Sequence, residues 1–67
     1  MKITLNNTPE ELEGNELTVQ QLLDLKKYSF KMIIVKINGQ VVRRPDFDKT
    51  LIRDGDDVVI FHLVSGG

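Results

Sequence analysis

The 67-residue chain contains no cysteine. Disulfide bonds, zinc–thiolate sites and thiol catalysis are therefore excluded. A chain of this length buries only about 60% of the surface that its unfolded form exposes, so its stability must come from one well-packed core. Hydrophobic residues make up 40% of the sequence, which is enough to build that core. The missing cysteine is compatible with a reducing compartment, and we expect a cytoplasmic protein.

An excess of charge and a long apolar run are missing as well. Nine Lys and Arg residues stand against ten Asp and Glu residues, for a formal net charge of −1. Dedicated nucleic-acid binders usually carry a clear basic excess, so we expect no nucleic-acid partner. No apolar run approaches the roughly 20 residues that cross a bilayer, and the start MKITLNNTPE is too short and polar for a signal peptide. We therefore expect no membrane association.

The beginning of the chain has the pattern of a hairpin. Residues 1–6 alternate, as in a half-buried strand, and place Met1, Ile3 and Leu5 on one face. The following NNTPE is typical of a turn. A second short strand is expected through Glu11, Leu12 and Glu13, before Gly14.

The pattern changes to that of a helix in LTVQQLLDLKK. Thr18 can cap the helix, and Gln21 completes a capping box three residues later. The apolar stripe consists of Val19, Leu22 and Leu23. We expect about three helical turns, with Lys26 and Lys27 near the end, where their charge suits the helix dipole.

Strand character returns in MIIVKINGQVVRR. Alternation places Ile33, Val35 and Ile37 on one face and Ile34 and Lys36 on the other. The pair Asn38–Gly39 predicts a hairpin turn because both residues accept positive φ. A short strand at Val41 and Val42 is expected to pair back.

The segment RRPDFDKTLIRDGDD is predicted to be a mostly irregular crossing with a single helical turn. Phe47 and Leu51 are expected to point inward, and RDGD is expected to form a turn. The final strand, in DVVIFHLV, is β-branched and aromatic enough to lie centrally in a sheet.

These elements predict an α+β domain spanning residues 1–67, with a flexible Gly-Gly tail at 65–67. One main helix would cross one face of a mixed sheet of four to five strands. If the first and last strands are neighbours in the middle of that sheet, the fold is a ubiquitin-like β-grasp.

Three segments, VKINGQVVRR, LIRDGDDVVIF and the final GG, together resemble the ThiS family, the sulfur carriers of thiamine (thiazole) biosynthesis. The resemblance extends over nearly the whole chain. Its two turn motifs are short, and their combination with the terminal glycines is fairly specific. Relatives often carry proline where this chain has Arg43 and a small apolar residue where it has Lys36, which leaves open a different partner surface and pathway.

The resemblance implies that the chain is a protein co-substrate and not an enzyme. Gly67 would be adenylated and converted to a thiocarboxylate that donates sulfur to the thiazole. The implied partners are an E1-like, ThiF-like adenylyltransferase that uses ATP, a ThiG-like thiazole synthase and a sulfur donor protein. No permanently bound cofactor is implied. Without cysteine, the backbone terminus is the only place where this chain could carry activated sulfur.

Gly66 and Gly67 have no Cβ atoms, so they can enter a narrow channel and approach a buried nucleotide closely. In the last strand, we expect Val58 and Ile60 to face the core. The opposite face would then present an apolar patch with Ile34 beside it, made of Val59, Phe61 and Leu63. In related carriers such a patch meets the adenylating enzyme, with an aromatic residue at the position of Phe61.

Other candidate sites favour plain structural interpretations. His62 stands alone in an apolar strand, without a second His or a carboxylate set that supports catalysis or metal binding. The spacing of Asp54, Asp56 and Asp57 lacks the calcium-loop pattern and favours a solvated turn.

Three alternative functions remain open at this point. The chain could be the small subunit of a molybdopterin synthase, or a ubiquitin-like modifier conjugated to lysine through Gly67. The third alternative is a β-grasp interaction module whose tail has no role.

Overall fold

The structure, a computed structural model, describes residues 1–28 and 32–62. These residues form one α-helix and seven strands. In chain order the elements are β1 (Lys2–Leu5), β2 (Thr8–Glu11), β3 (Glu16–Thr18), α1 (Val19–Leu25), β4 (Ile33–Ile37), β5 (Gln40–Val42), β6 (Leu51–Arg53) and β7 (Asp57–His62). A single 3₁₀ turn at Arg44–Asp46 lies between β5 and β6 and confirms the predicted helical turn.

Five of the strands form one mixed sheet in the order β2-β1-β7-β4-β5. The first and last strands, β1 and β7, are parallel neighbours, and the other pairs are antiparallel. Strand β7 is therefore central, as its composition predicts. This arrangement confirms the β-grasp expectation.

Helix α1 begins with the predicted capping box. The Gln21 N–H donates to Thr18 Oγ1 at 3.0 Å, and the Thr18 N–H donates to Gln21 Oε1 at 2.8 Å. The expected stripe of Val19, Leu22 and Leu23 is buried.

The helix is shorter than predicted. It has seven residues, about two turns instead of three. The helix ends because Lys27 adopts a left-handed φ of 60°. The Tyr28 N–H then donates to the Leu23 carbonyl at 2.9 Å. This hydrogen bond is the one that closes a helix in the Schellman motif. Among the described residues, no helix has the length and apolar character needed to cross a bilayer.

The core lies between α1 and one face of the five-stranded sheet. Its buried members come from β1, α1, β4, β6, β7 and the residue after the 3₁₀ turn: Ile3, Leu5, Val19, Leu22, Leu23, Val35, Phe47, Ile52, Val58 and Ile60. The inward position expected of Phe47 is confirmed. The same expectation for Leu51 is wrong, because Leu51 is exposed and its neighbour Ile52 is fully buried.

The reason is a strand that the sequence reading missed. Leu51–Arg53 forms β6 and pairs antiparallel with β3 in a separate two-stranded sheet. Successive side chains of a strand point to opposite faces, so burying Ile52 turns Leu51 outward.

The first hairpin also differs from its prediction. Its turn consists of Asn6 and Asn7 alone, both with positive φ (51° and 66°), so the second strand starts at Thr8 and not at Glu11. Pro9 is tolerated within this strand because β2 lies at the edge of the sheet.

The two later turns follow their predictions. Asn38 and Gly39 take φ values of 51° and 86° and connect β4 to β5 as a two-residue hairpin loop. Gly55, in the RDGD turn, has a φ of 88°, and this turn delivers the chain into β7.

Candidate docking face and exit end of the last strand

The predicted site residues fall into two groups. Ile34, Val59 and Phe61 lie in described strands. Leu63, Gly66 and Gly67 lie outside the described residues. The site can therefore be built up to His62, where β7 ends.

The two faces of β7 separate as the alternation predicts. Val58 and Ile60 are buried in the core, with 0% and 6% of their surface exposed. Val59 and Phe61 lie on the opposite face, where Phe61 is 41% exposed. The assignment of faces is thus confirmed.

Strand pairing brings the predicted apolar residues together. Ile34 is directly opposite Phe61, and Lys36 is directly opposite Val59. In antiparallel pairs, side chains directly opposite each other have Cβ atoms about 4.5–5.5 Å apart. Ile34, Val59 and Phe61 therefore form one continuous patch.

The same pairing adds a residue that sequence reasoning left out of the patch. Val41 of β5 is opposite Lys36 and is 60% exposed. The two-residue Asn38–Gly39 turn fixes the register of β4 against β5. Pairing the residues outward from this turn would have placed Val41 opposite Lys36 from the sequence alone. We call the following set the outer face: Ile34, Lys36, Val41, Val59 and Phe61.

One positive charge interrupts the outer face. Lys36 is half-buried between Val59 and Val41. The ion pairs among the described residues join Lys26 to Glu10 and Arg53 to Glu16, and neither includes Lys36. The outer face is thus apolar with one ammonium group near its centre.

A recess of about 360 Å³ opens at the exit end of β7. Its lining comes from the first hairpin turn, the residues after α1 and the end of β7: Asn6, Tyr28, Ile60, Phe61 and His62. The side chain of Asn6 reaches the β7 backbone here. Its Nδ2 donates to the Ile60 carbonyl at 3.0 Å, and its Oδ1 accepts from the Ile60 N–H at 2.8 Å. Sequence reasoning treated Asn6 only as a turn residue and missed this contact.

Two aspartates in the turn before β7 accept hydrogen bonds from the backbone. Asp54 Oδ1 accepts from the Lys2 N–H at 2.6 Å, and Asp56 Oδ2 accepts from the Arg53 N–H at 2.9 Å. Across residues 1–28 and 32–62, no group of three or more His, Cys, Asp or Glu residues could hold a metal ion. The Asp54 carboxylate thus links the turn to β1, and the Asp56 carboxylate caps the turn itself.

The sequence model of the ThiS family matches residues 3–67. The chain belongs to the ThiS family. The match includes the outer face and extends through the two terminal glycines.

A curated relative and two solved structures agree with this assignment. The sulfur carrier protein ThiS of Escherichia coli is 27% identical over 67 residues, and the alignment covers 100% of both chains. The crystal structure of the thiamine biosynthesis protein (ThiS) from Geobacter metallireducens is 35% identical, with a TM-score of 0.88 and 100% of both chains covered. The solution structure of a thiamine biosynthesis protein from the same organism gives a TM-score of 0.82 at 35% identity, covering 100% of this chain and 88% of that one.

These likenesses confirm the resemblance that the three sequence segments carry. The fold expected from that resemblance also agrees, since the likeness to a ThiS crystal structure covers the whole of both chains.

Proposed function

We propose that this protein is the sulfur carrier of thiamine (thiazole) biosynthesis, a co-substrate that other proteins act on. The observation that carries the proposal is the match to the ThiS family over residues 3–67. The curated relative named as a sulfur carrier protein adds support, because it aligns over its full length. The geometry fits this function, since β7, the last described strand before residues 63–67, is central in the sheet and contributes to the apolar outer face.

The proposed modification site is the carboxyl group of Gly67. A free carboxylate is a poor electrophile, because its negative charge repels nucleophiles and its oxygen is a poor leaving group. In the first step, a carboxylate oxygen attacks the α-phosphorus of ATP and pyrophosphate leaves. The acyl adenylate has a good leaving group, so hydrosulfide, released from a sulfur donor protein by a thiol reductant, can then attack the acyl carbon. The new acyl–sulfur bond forms as the bond to AMP breaks, and Gly67 ends as a thiocarboxylate.

Gly66 and Gly67 suit this reaction because neither has a Cβ atom. The reactive carbon must reach a nucleotide inside the adenylating enzyme, and a larger side chain at either position would obstruct the approach. Ordering the tail costs roughly 1–2 kcal/mol for each residue fixed. Contacts made by the folded body must offset that cost.

The outer face is the proposed source of those contacts. It includes Phe61, which is 41% exposed, and Val41, which is 60% exposed. Exposed apolar patches of this kind mark sites of protein association, and aromatic residues often supply much of the binding energy at such sites. Leu63, the fourth member of the predicted patch, would extend the face toward the tail.

The proposed occupant of the outer face is an E1-like, ThiF-like adenylyltransferase, which binds and uses the ATP. A ThiG-like thiazole synthase would then accept sulfur from the thiocarboxylate. No cofactor would stay bound to the carrier itself. The proposal places these steps in the cytoplasm, and it includes no nucleic-acid or membrane partner.

The function can be tested by intact-mass analysis of the purified chain. The chain is incubated with an E1-like adenylyltransferase, ATP and a sulfur donor, and the mass of Gly67 is then determined by fragmentation. The expected product differs from the starting chain by one sulfur in place of one oxygen at Gly67. A chain lacking Gly67 is the matched control and should remain unchanged.

The next transfer separates the competing pathways. Incubation of the thiocarboxylate form with a thiazole synthase and the synthase's small-molecule substrates should transfer the sulfur to the thiazole precursor. The Gly67 carboxylate is regenerated with an oxygen from water or from that precursor. Transfer only to a molybdopterin synthase large subunit, or conjugation of Gly67 to lysine, would overturn the thiamine assignment. Failure of Gly67 to gain sulfur under any of these conditions would overturn the carrier function itself.

A further inference from the structure

The parallel pairing of β1 with β7 ends well before β7 does. Its register comprises Thr4 with Asp57 and Leu5 with Val58. The chain then reverses at Asn6 and Asn7 and enters β2, which starts at Thr8. Strand β7 continues to His62. Beyond Val58, the edge of β7 that faces β1 therefore has no strand beside it among the described residues.

Asn6 continues the hydrogen bonding at this edge with its side chain. Its main-chain N–H donates to the Val58 carbonyl at 2.9 Å. Its carboxamide then forms both the donor and the acceptor hydrogen bond with the Ile60 backbone, at 3.0 Å and 2.8 Å. A carboxamide has the same C=O and N–H groups as a peptide unit. Asn6 thus takes the place of one further residue of a neighbouring strand.

From this geometry we propose that Asn6 is a positioning residue for the tail. Its carboxamide fixes the backbone of β7 at Ile60, two residues before the end of the strand, and so directs the chain as it leaves His62. The consequence for sulfur chemistry rests on the proposed function, because the tail must deliver Gly67 to an adenylating enzyme. The hydrogen bonding of Asn6 to the Ile60 backbone does not depend on the proposed function.

The fold has other means of retaining β7. The Ile60 side chain is buried in the core, and the opposite edge of the strand pairs with β4 from Val58 to His62. Removal of the Asn6 carboxamide is therefore expected to loosen the exit end of β7 and to leave the core folded. This separates a positioning role from a general structural one.

The hairpin supplies a matched control in the next residue. Asn7 is exposed and has a similar left-handed φ of 66°, and no hydrogen bond of its side chain is found within the described part of the chain. Asn6→Gly and Asn7→Gly both accept positive φ, so they differ mainly in the loss of the Ile60 contacts. Asn6→Asp and Asn7→Asp add the same charge, but only the first places a carboxylate oxygen against the Ile60 carbonyl.

The first measurement is native-state amide hydrogen exchange. The Ile60 amide should exchange about tenfold faster in Asn6→Gly, which loses both hydrogen bonds to the Ile60 backbone. Asn6→Asp keeps an acceptor for the Ile60 N–H and should accelerate this amide less. The Val35 amide should keep its rate, and the Asn7 variants should match the wild type. The proposal is overturned if Ile60 exchanges at the same rate in Asn6→Gly and Asn7→Gly, or if Val35 accelerates as much as Ile60 in Asn6→Gly.

The second measurement is the kinetics of pyrophosphate release with an E1-like adenylyltransferase. Asn6→Gly should lower kcat about five- to thirtyfold, the effect of leaving roughly one more residue to be ordered. KM should change little because the outer face is intact. Wild-type kcat in this variant, or a rise in KM alone, overturns the positioning role. If the wild-type chain releases no pyrophosphate, the proposed function fails, and hydrogen exchange alone then decides the hold on Ile60.

Discussion

Strand β7 presents apolar side chains to both faces of the sheet, and the fold treats the two faces differently. Val58 and Ile60 pack beneath α1 and are almost completely buried. Val59 and Phe61 alternate with them but lie on the outer face, where Phe61 remains 41% exposed. The inner face thus contributes to folding, while the outer face keeps apolar surface in contact with water.

The difference in burial between the two faces indicates that the outer face is available to bind a partner. A central strand that is apolar on both sides is typical of sheets covered on both faces. Here the described elements cover one face only. We interpret the outer face as the side that is covered when the proposed adenylating enzyme binds.

The largest effect is expected from a substitution on the inner face of β7, which should reduce the stability of the fold. Ile60→Ala should lower the free energy of unfolding by about 2–5 kcal/mol, through lost burial and the cavity left behind. For a chain of 67 residues, total stability is expected to be only about 3–10 kcal/mol. Chemical denaturation measures the change. Phe61→Ala is the matched control on the neighbouring residue, and equal losses in the two variants would contradict the comparison.

The second largest effect is expected from a substitution on the outer face, which should reduce the affinity for the adenylating enzyme. Phe61→Ala should weaken binding to an E1-like adenylyltransferase by about 1–3 kcal/mol, because aromatic residues are enriched among binding hot spots. Isothermal titration calorimetry measures this loss. Val41→Ser, at the margin of the outer face, should cost less. Unchanged affinity in Phe61→Ala would show that the enzyme binds elsewhere.

A smaller effect concerns the helix that covers the inner face. Thr18→Ala removes the acceptor of the capping box and should reduce stability by about 1 kcal/mol. Thr18→Ser keeps a hydroxyl group and should stay close to the wild type. Thermal unfolding compares the two variants. Affinity for the adenylyltransferase should be the same in both, and a selective loss in Thr18→Ala would contradict the separation of the two faces.

The smallest effect concerns the ion pair between Lys26 and Glu10, which joins the end of α1 to β2 on the inner side. Both side chains are partly exposed, so Glu10→Gln should cost only about 0.2–1 kcal/mol. The loss should shrink at high salt, because screening already weakens the pair in the wild type. Glu11→Gln, on the next residue, is the control. A loss that is independent of salt would point to packing as the cause.

The features that sequence reasoning predicted well depend on near neighbours in the chain. The Thr18 and Gln21 capping box needs residues three apart, and the Asn38–Gly39 turn needs two adjacent residues. The assignment of residues 58–61 to alternate faces of the sheet follows from the alternation of side chains along a strand. Such local patterns can be read without knowing the fold.

The missed features depend on contacts between distant segments. Strand β6 has three residues, too few to show an alternation, so only its pairing with β3 decides that Ile52 is buried and Leu51 is not. The second hairpin strand begins earlier than the sequence predicts, because Pro9 is typical of a turn but is also tolerated in an edge strand. The role of Asn6 needs a partner 54 positions away, which no local pattern indicates.

We propose that the folded body docks through its outer face while the end of the chain reacts. The most direct test is ATP-dependent pyrophosphate release by an E1-like adenylyltransferase, with the full chain compared with a chain lacking Gly66 and Gly67. We predict release with the full chain, none with the shortened chain, and competitive inhibition of the full chain by the shortened one. Equal release by both chains would contradict the claim.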